Sequence, residues 1–116
     1  MRYTILIYET EADFKDRADD GRKADYWGAY RAYMQALQTA GVMVGGAALQ
    51  PPQNAATVRR RNDRRQVQDG PFAGTKEQLG GYCVIEVSDL DEALEWASRC
   101  PAAATGAVEV RANLAM

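Results

Sequence analysis

The spacing of apolar residues along this chain predicts six strands and two helices. Arg2–Tyr8 is short and rich in β-branched and aromatic residues, as a strand requires. Tyr3, Ile5 and Ile7 fall on one face, and Thr4, Leu6 and Tyr8 on the other. Both faces are largely apolar, so both are expected to be covered. Glu9 to Asp20 is acidic and without periodicity, and reads as a solvated loop. From about Arg22 to Ala40 the period becomes helical, through Trp27, Tyr30, Met34 and Leu37, and Gly41 suits a left-handed cap. Tyr26, Tyr30 and Tyr33 add an aromatic edge to this helix, read as core or interface packing.

Val42–Val44 is a short strand, interrupted by Gly45-Gly46 and resumed at Ala47–Leu49, and Pro51-Pro52 rules out a central strand beyond it. Thr57–Arg61 and Arg64–Asp69 pattern as a hairpin closed by Asn62-Asp63, two residues that tolerate the positive φ of a type I′ turn. A two-residue turn places Arg61 opposite Arg64 and Arg60 opposite Arg65, which like-charge repulsion disfavours. The tip is therefore expected to be solvated or met by acidic groups. Asp69-Gly70-Pro71-Phe72 ends the hairpin: proline stops the ladder, and Phe72 is expected to pin the loop to the core. Thr75 to Gln78 has the spacing of a capping box and predicts one helical turn, after which Gly80-Gly81 bends the chain into strand Tyr82–Val87. Ser88 or Asp89 caps a second helix with Leu90, Ala93, Leu94 and Ala97 inward, and Pro101 stops it. Ala102–Gly106 reads as a loop, and Ala107–Leu114 as the last strand.

Two β-α-β halves around an inserted hairpin, with both helices on one sheet face, give a single α+β domain over residues 1–116 of the ferredoxin-like sandwich kind. The other sheet face is left open, and a symmetric homodimer is the simplest cover for it.

Composition narrows the partners. A net charge of −2 argues against nucleic acid, whose binding domains carry a basic excess. No run is long enough to span a membrane, and Met1-Arg2 leads straight into a strand. The 2 cysteines, one mid-strand and one at a helix end, do not form a disulfide framework and suit a reduced, cytoplasmic setting. Neither has the surroundings of a nucleophile, no cluster has metal-ligand spacing, and no cofactor motif is present.

The candidate chemistry sits around the Asp-Gly-Pro-Phe loop. Without histidine, a general base must be a carboxylate or lysine of shifted pKa, or a tyrosine helped by a cation. Asp69 is the catalytic candidate, against the alternative that it caps its own turn. Tyr8, Arg59, Arg65, Phe72 and Lys76 are the candidate ligand-binding residues, and the run of hairpin arginines points to a small organic anion. Three functions follow: an anion-binding, regulatory dimer; a cofactor-free enzyme using Asp69 and Tyr8; or a protein-interaction module.

The chain also resembles the DGPF branch of the YCII-related (YciI-like) family. The resemblance rests on Tyr3–Tyr8, Leu49-Gln50-Pro51-Pro52, Asp69-Gly70-Pro71-Phe72, Thr75–Gly81, Asp89–Ala93, Ala97–Pro101 and Val108–Arg111. It implies a dimeric α+β barrel with a cleft between sheet and loops, in a bacterial cytoplasmic protein often encoded beside a sigma factor. A sigma factor is thus an implied partner. The chain departs from the family's histidine-based pattern: Thr105 stands where a histidine is common, Gly74 replaces a glutamate, and Ala112 a proline. The first two departures undercut a borrowed acid–base mechanism.

Overall fold

The computed structural model describes residues 1–116. Four strands form one antiparallel sheet: β1 (Arg2–Glu9), β2 (Met43–Ala48), β5 (Gln78–Glu86) and β6 (Ala107–Ala112), in the order β2-β5-β1-β6. This is the ferredoxin-like arrangement, with helices α2 (Lys23–Thr39) and α3 (Leu90–Ser98) on one face. Tyr3, Ile5 and Ile7 of β1 and Cys83 and Ile85 of β5 meet Tyr33 and Leu37 of α2 and Ala93, Trp96 and Ala97 of α3 in one core. The Tyr33 hydroxyl donates to the Trp96 carbonyl at 2.9 Å, so its polar tip is satisfied inside that core. The remaining strands, β3 (Ala56–Arg61) and β4 (Arg64–Asp69), pair only with each other as an arm. No helix is long and apolar enough to cross a membrane.

The hairpin register is the expected one, with Arg60 opposite Arg65 and Arg61 opposite Arg64. Asn62 and Asp63 both take positive φ, 51° and 61°, as a type I′ turn demands. Asp89 caps α3, accepting from the Glu92 amide at 2.9 Å.

Several expectations are corrected. Glu9–Asp20 is not a solvated loop: Glu9 ends β1 and is buried, and Glu11–Asp16 is a helix, α1, boxed by Thr10 and Asp13. No helical turn forms at Thr75. Its hydroxyl donates to the Glu77 carbonyl, and the Gln78 side chain bonds the Ala73 and Thr75 carbonyls, so side-chain bonds take the place of the turn. Phe72 does not reach the core; it is 73% exposed. Gly80-Gly81 lies within β5 instead of preceding it. On α3 the buried third residue is Trp96, while Leu90 and Leu94 are about half exposed, because the larger ring takes the space between α3 and the sheet. Ala102–Thr105 forms a short helix, α4, and β6 ends at Ala112.

The open sheet face is less apolar than its sequence implied. Leu6, Tyr82 and Val84 share it with Thr4, Glu109 and Arg111. Thr4 donates to Asn113 at 2.6 Å, and Glu109 and Arg111 pair with each other along their own strand.

Candidate active site: a buried carboxylate beneath the first long helix

Glu9 continues the inward alternation of Tyr3, Ile5 and Ile7, and so carries a carboxylate onto the core face, where it is 2% exposed. A buried carboxylate needs a charge partner and filled lone pairs. Arg17, just beyond α1, provides the charge: its Nη2 lies 2.6 Å from Glu9 Oε1, and its side chain is 9% exposed. Tyr26 and Tyr30, one turn apart on α2, donate to Glu9 Oε2 at 2.5 and 3.3 Å. Arg17 Nε donates to the Tyr26 hydroxyl at 2.9 Å, which makes a directed chain from guanidinium through phenol to carboxylate.

Arg17 is held from every side. It also donates to the carbonyls of Leu49 (2.5 Å) and Gly80 (3.0 Å). Its guanidinium lies over the rings of Phe14, Tyr26 and Trp27, 4.8 to 5.6 Å from their centroids. The Trp27 indole in turn donates to the Arg17 carbonyl. Burial opposes the Arg17 charge, but its bonds to Tyr26 and Glu9 outweigh it and raise the pKa. Burial, followed by the neighbouring carboxylate, pushes both Tyr26 and Tyr30 above the ordinary phenol range, so both are neutral donors.

The sheet is bent to fit this group. Ile7 pairs with Gly81 and Tyr8 with Leu79, so Gly80 is an extra residue bulged against Glu9. A Cβ at position 80 would fall inside contact distance of Glu9 Oε1, which is why glycine stands there.

Beside the carboxylate opens a cavity of about 540 Å³ between α2 and the β2–β5 edge. Ile7, Trp27, Met34 and Met43 give it apolar walls, Glu9, Arg17, Tyr26 and Tyr30 its polar end, and exposed Arg31 stands among its lining residues. Its size and mix of apolar wall and few polar groups are those of a small-molecule site. No group of three or more His, Cys, Asp or Glu side chains gathers to hold a metal ion.

The residues singled out in the sequence lie elsewhere and only partly together. Tyr8 and Phe72 line a second cleft, of about 410 Å³, with Pro71, Leu79 and Gln78. Tyr8 also lines a third with Lys76 and Glu109. Arg59 stacks over Phe72 with its Cζ 5.1 Å from the ring centroid. Arg65 and Asp69 are exposed on the arm, and Asp69 lines none of these three cavities. Sequence reasoning missed Glu9, Arg17, Tyr26 and Tyr30 as a group. Two signals pointed to it: the even alternation that makes Glu9 an inward position, and the two tyrosines four residues apart. Both cysteines are buried; burial and then Cys100 push the Cys83 thiol up to about 12, so it is no nucleophile.

A solved structure shares the fold: the 5-chloro-2-hydroxyhydroquinone dehydrochlorinase of Burkholderia phenoliruptrix AC1100, in complex with 2,5-dihydroxybenzoquinone. It superimposes with a TM-score of 0.56 at 18% identity, covering 98% of this chain and 94% of that one. An uncharacterized protein of Rhizobium meliloti (strain 1021) is 37% identical over 116 residues, 96% of this chain and 90% of its own length. The family model of the YCII-related domain matches residues 1–115. The chain therefore belongs to the YCII-related domain family.

Proposed function

We propose that this protein binds a small, flat, largely apolar molecule bearing a hydroxyl or keto oxygen, in the cavity headed by Glu9. One observation carries this reading: a carboxylate buried to 2% stands at the polar end of an otherwise mostly apolar cavity, with two neutral phenols attached. Glu9 and Tyr26 are committed to each other at 2.5 Å, whereas the Tyr30 bond is long at 3.3 Å. Tyr30 is thus the donor most easily turned to a ligand oxygen, and Glu9 the acceptor for a ligand hydroxyl. A protein of the same fold binds 2,5-dihydroxybenzoquinone, a flat ring bearing hydroxyl and keto oxygens.

Thermal-shift titration with hydroxybenzoates and hydroquinones is the test, since a ligand of the native state raises the melting temperature. Stabilisation is expected in the wild type and its loss in Met34→Trp, which narrows the cavity. Stabilisation by aliphatic acids alone, or a shift that persists in Met34→Trp, would overturn the reading.

A second reading, a small organic anion at the Asp-Gly-Pro-Phe loop, is favoured by Tyr8, which lines the two clefts that also carry Phe72 and Lys76. That reading also counts Asp69 and Arg65, which the register sets on the arm face opposite Arg59. Stabilisation by organic acids that disappears in Lys76→Ala and Arg59→Ala, yet survives Met34→Trp, would select it.

A further inference from the structure

The charged side chains that line the Glu9 cavity are Glu9, Arg17 and Arg31. Glu9 and Arg17 neutralise each other at 2.6 Å, so Arg31 leaves the lining with an uncompensated positive charge. Arg31 makes no salt bridge within the chain. Its own helix offers it none, because the residues three and four positions away are Gly28, Trp27, Met34 and Gln35, and none is acidic.

The helical period sorts the α2 side of the cavity into a wall and a rim. Tyr30 and Met34 are half-buried and form the wall, while Arg31, Gln35 and Gln38, one turn after another, are exposed at the mouth. Gln35 donates along the helix to the Thr39 hydroxyl at 3.1 Å. The Arg31 side chain runs back over the preceding turn, as helical side chains do, and its Nη2 lies 4.0 Å from where a Cβ at Gly28 would stand. Arg31 is the charged group among the exposed lining residues. The cavity therefore has a hydroxyl-binding inner end, an apolar wall and a cationic rim.

We infer that Arg31 selects an aromatic hydroxy acid, with the hydroxyl at Tyr30 and Glu9 and the carboxylate paired with Arg31 at the mouth. The inference rests on the cavity reading above and narrows its ligand class. Charge fixes the direction of entry. A carboxylate sent inward would meet the buried Glu9 carboxylate, and Arg17 is already taken up by Glu9, Tyr26 and the carbonyls of Leu49 and Gly80. At the rim the Arg31 fork suits a carboxylate held by two parallel bonds. A quinol with no acid group satisfies the inner end alone and leaves Arg31 to water, so it binds more weakly.

Titration calorimetry with 3- and 4-hydroxybenzoate and the methyl ester of each tests it, because the ester keeps the ring and hydroxyl and removes the charge. The wild type is expected to bind the better acid about fivefold more tightly than its ester, the scale of an exposed ion pair of good geometry. Arg31→Gln is expected to bring the acid down to the ester's affinity and leave the ester unchanged. Arg31→Lys should keep part of the preference. Arg31 is exposed, so both variants should melt with the wild type, which separates a lost partner from a lost fold. Equal affinity for acid and ester in the wild type, or a preference that survives Arg31→Gln, overturns the inference. If the ester's binding is then lost in Met34→Trp, the cavity reading still stands. No binding of any acid or ester, or an acid that binds Met34→Trp as well as the wild type, overturns both.

Discussion

The Tyr26 hydroxyl donates to Glu9 Oε2 at 2.5 Å and at the same time accepts from Arg17 Nε at 2.9 Å. One phenol thus stands between a buried acid and the cation that neutralises it. Three elements distant in sequence (the end of β1, the segment after α1 and the start of α2) are fixed by that arrangement, and the cavity wall with them.

Removing the cation alone should be severe. Arg17→Met keeps the stem but leaves a buried carboxylate without its charge partner, at a cost of about 3–5 kcal/mol. The double variant Glu9→Leu/Arg17→Met leaves no orphan charge and is expected to recover much of that loss. Urea unfolding midpoints of the two variants and the wild type measure both effects.

A methyl group at the bulge should act on the same pair. In Gly80→Ala the new Cβ meets Glu9 Oε1 first and Arg17 Nη2 next, at 3.1 Å. The carboxylate has to move out of its bond to Arg17, so a loss of about 1–3 kcal/mol is expected. Gly74→Ala, with nothing within 4 Å of its Cβ, is the neutral control.

Alkaline pH should unfold the protein early. The folded state raises Tyr26 and Tyr30 from an ordinary 10.0, and Cys83 from 9.0 to about 12, by burial first. Between those values the unfolded chain has released protons that the folded chain retains. Stability is therefore full below about pH 9 and declines as pH rises towards 12 and beyond. Tyr30→Phe should flatten part of that decline, read as the slope of the unfolding midpoint against pH.

At the arm tip, Arg61 and Arg64 face each other as a cross-strand pair. Arg64→Glu replaces repulsion by attraction, and about 0.2–1 kcal/mol of stabilisation is expected, shrinking with added salt. Melting temperatures at low and high ionic strength check it.

The strands, the long helix and the hairpin register were legible because alternation, the 3.6-residue period and Asn62-Asp63 are local signals. The site was not, because it is made by contacts across 8 to 63 residues of sequence. Glu9 looked like the first residue of an acidic loop, and only the sheet reveals it as the last inward position of β1. Phe72 failed as a core anchor for a related reason: its size suggested burial, but the Gly70-Pro71 turn carries it outward to lie beneath Arg59. At Thr75 the spacing of a capping box was present without an apolar face to hold a helix against the sheet, and side-chain bonds to carbonyls won.

Because Arg17 binds Leu49, Gly80 and Glu9 at once, no partly assembled chain has a formed pocket. Without that guanidinium, the polar end of the cavity would hold a buried acid with no charge partner. Whatever occupies the finished cavity would therefore depend on that one guanidinium being seated.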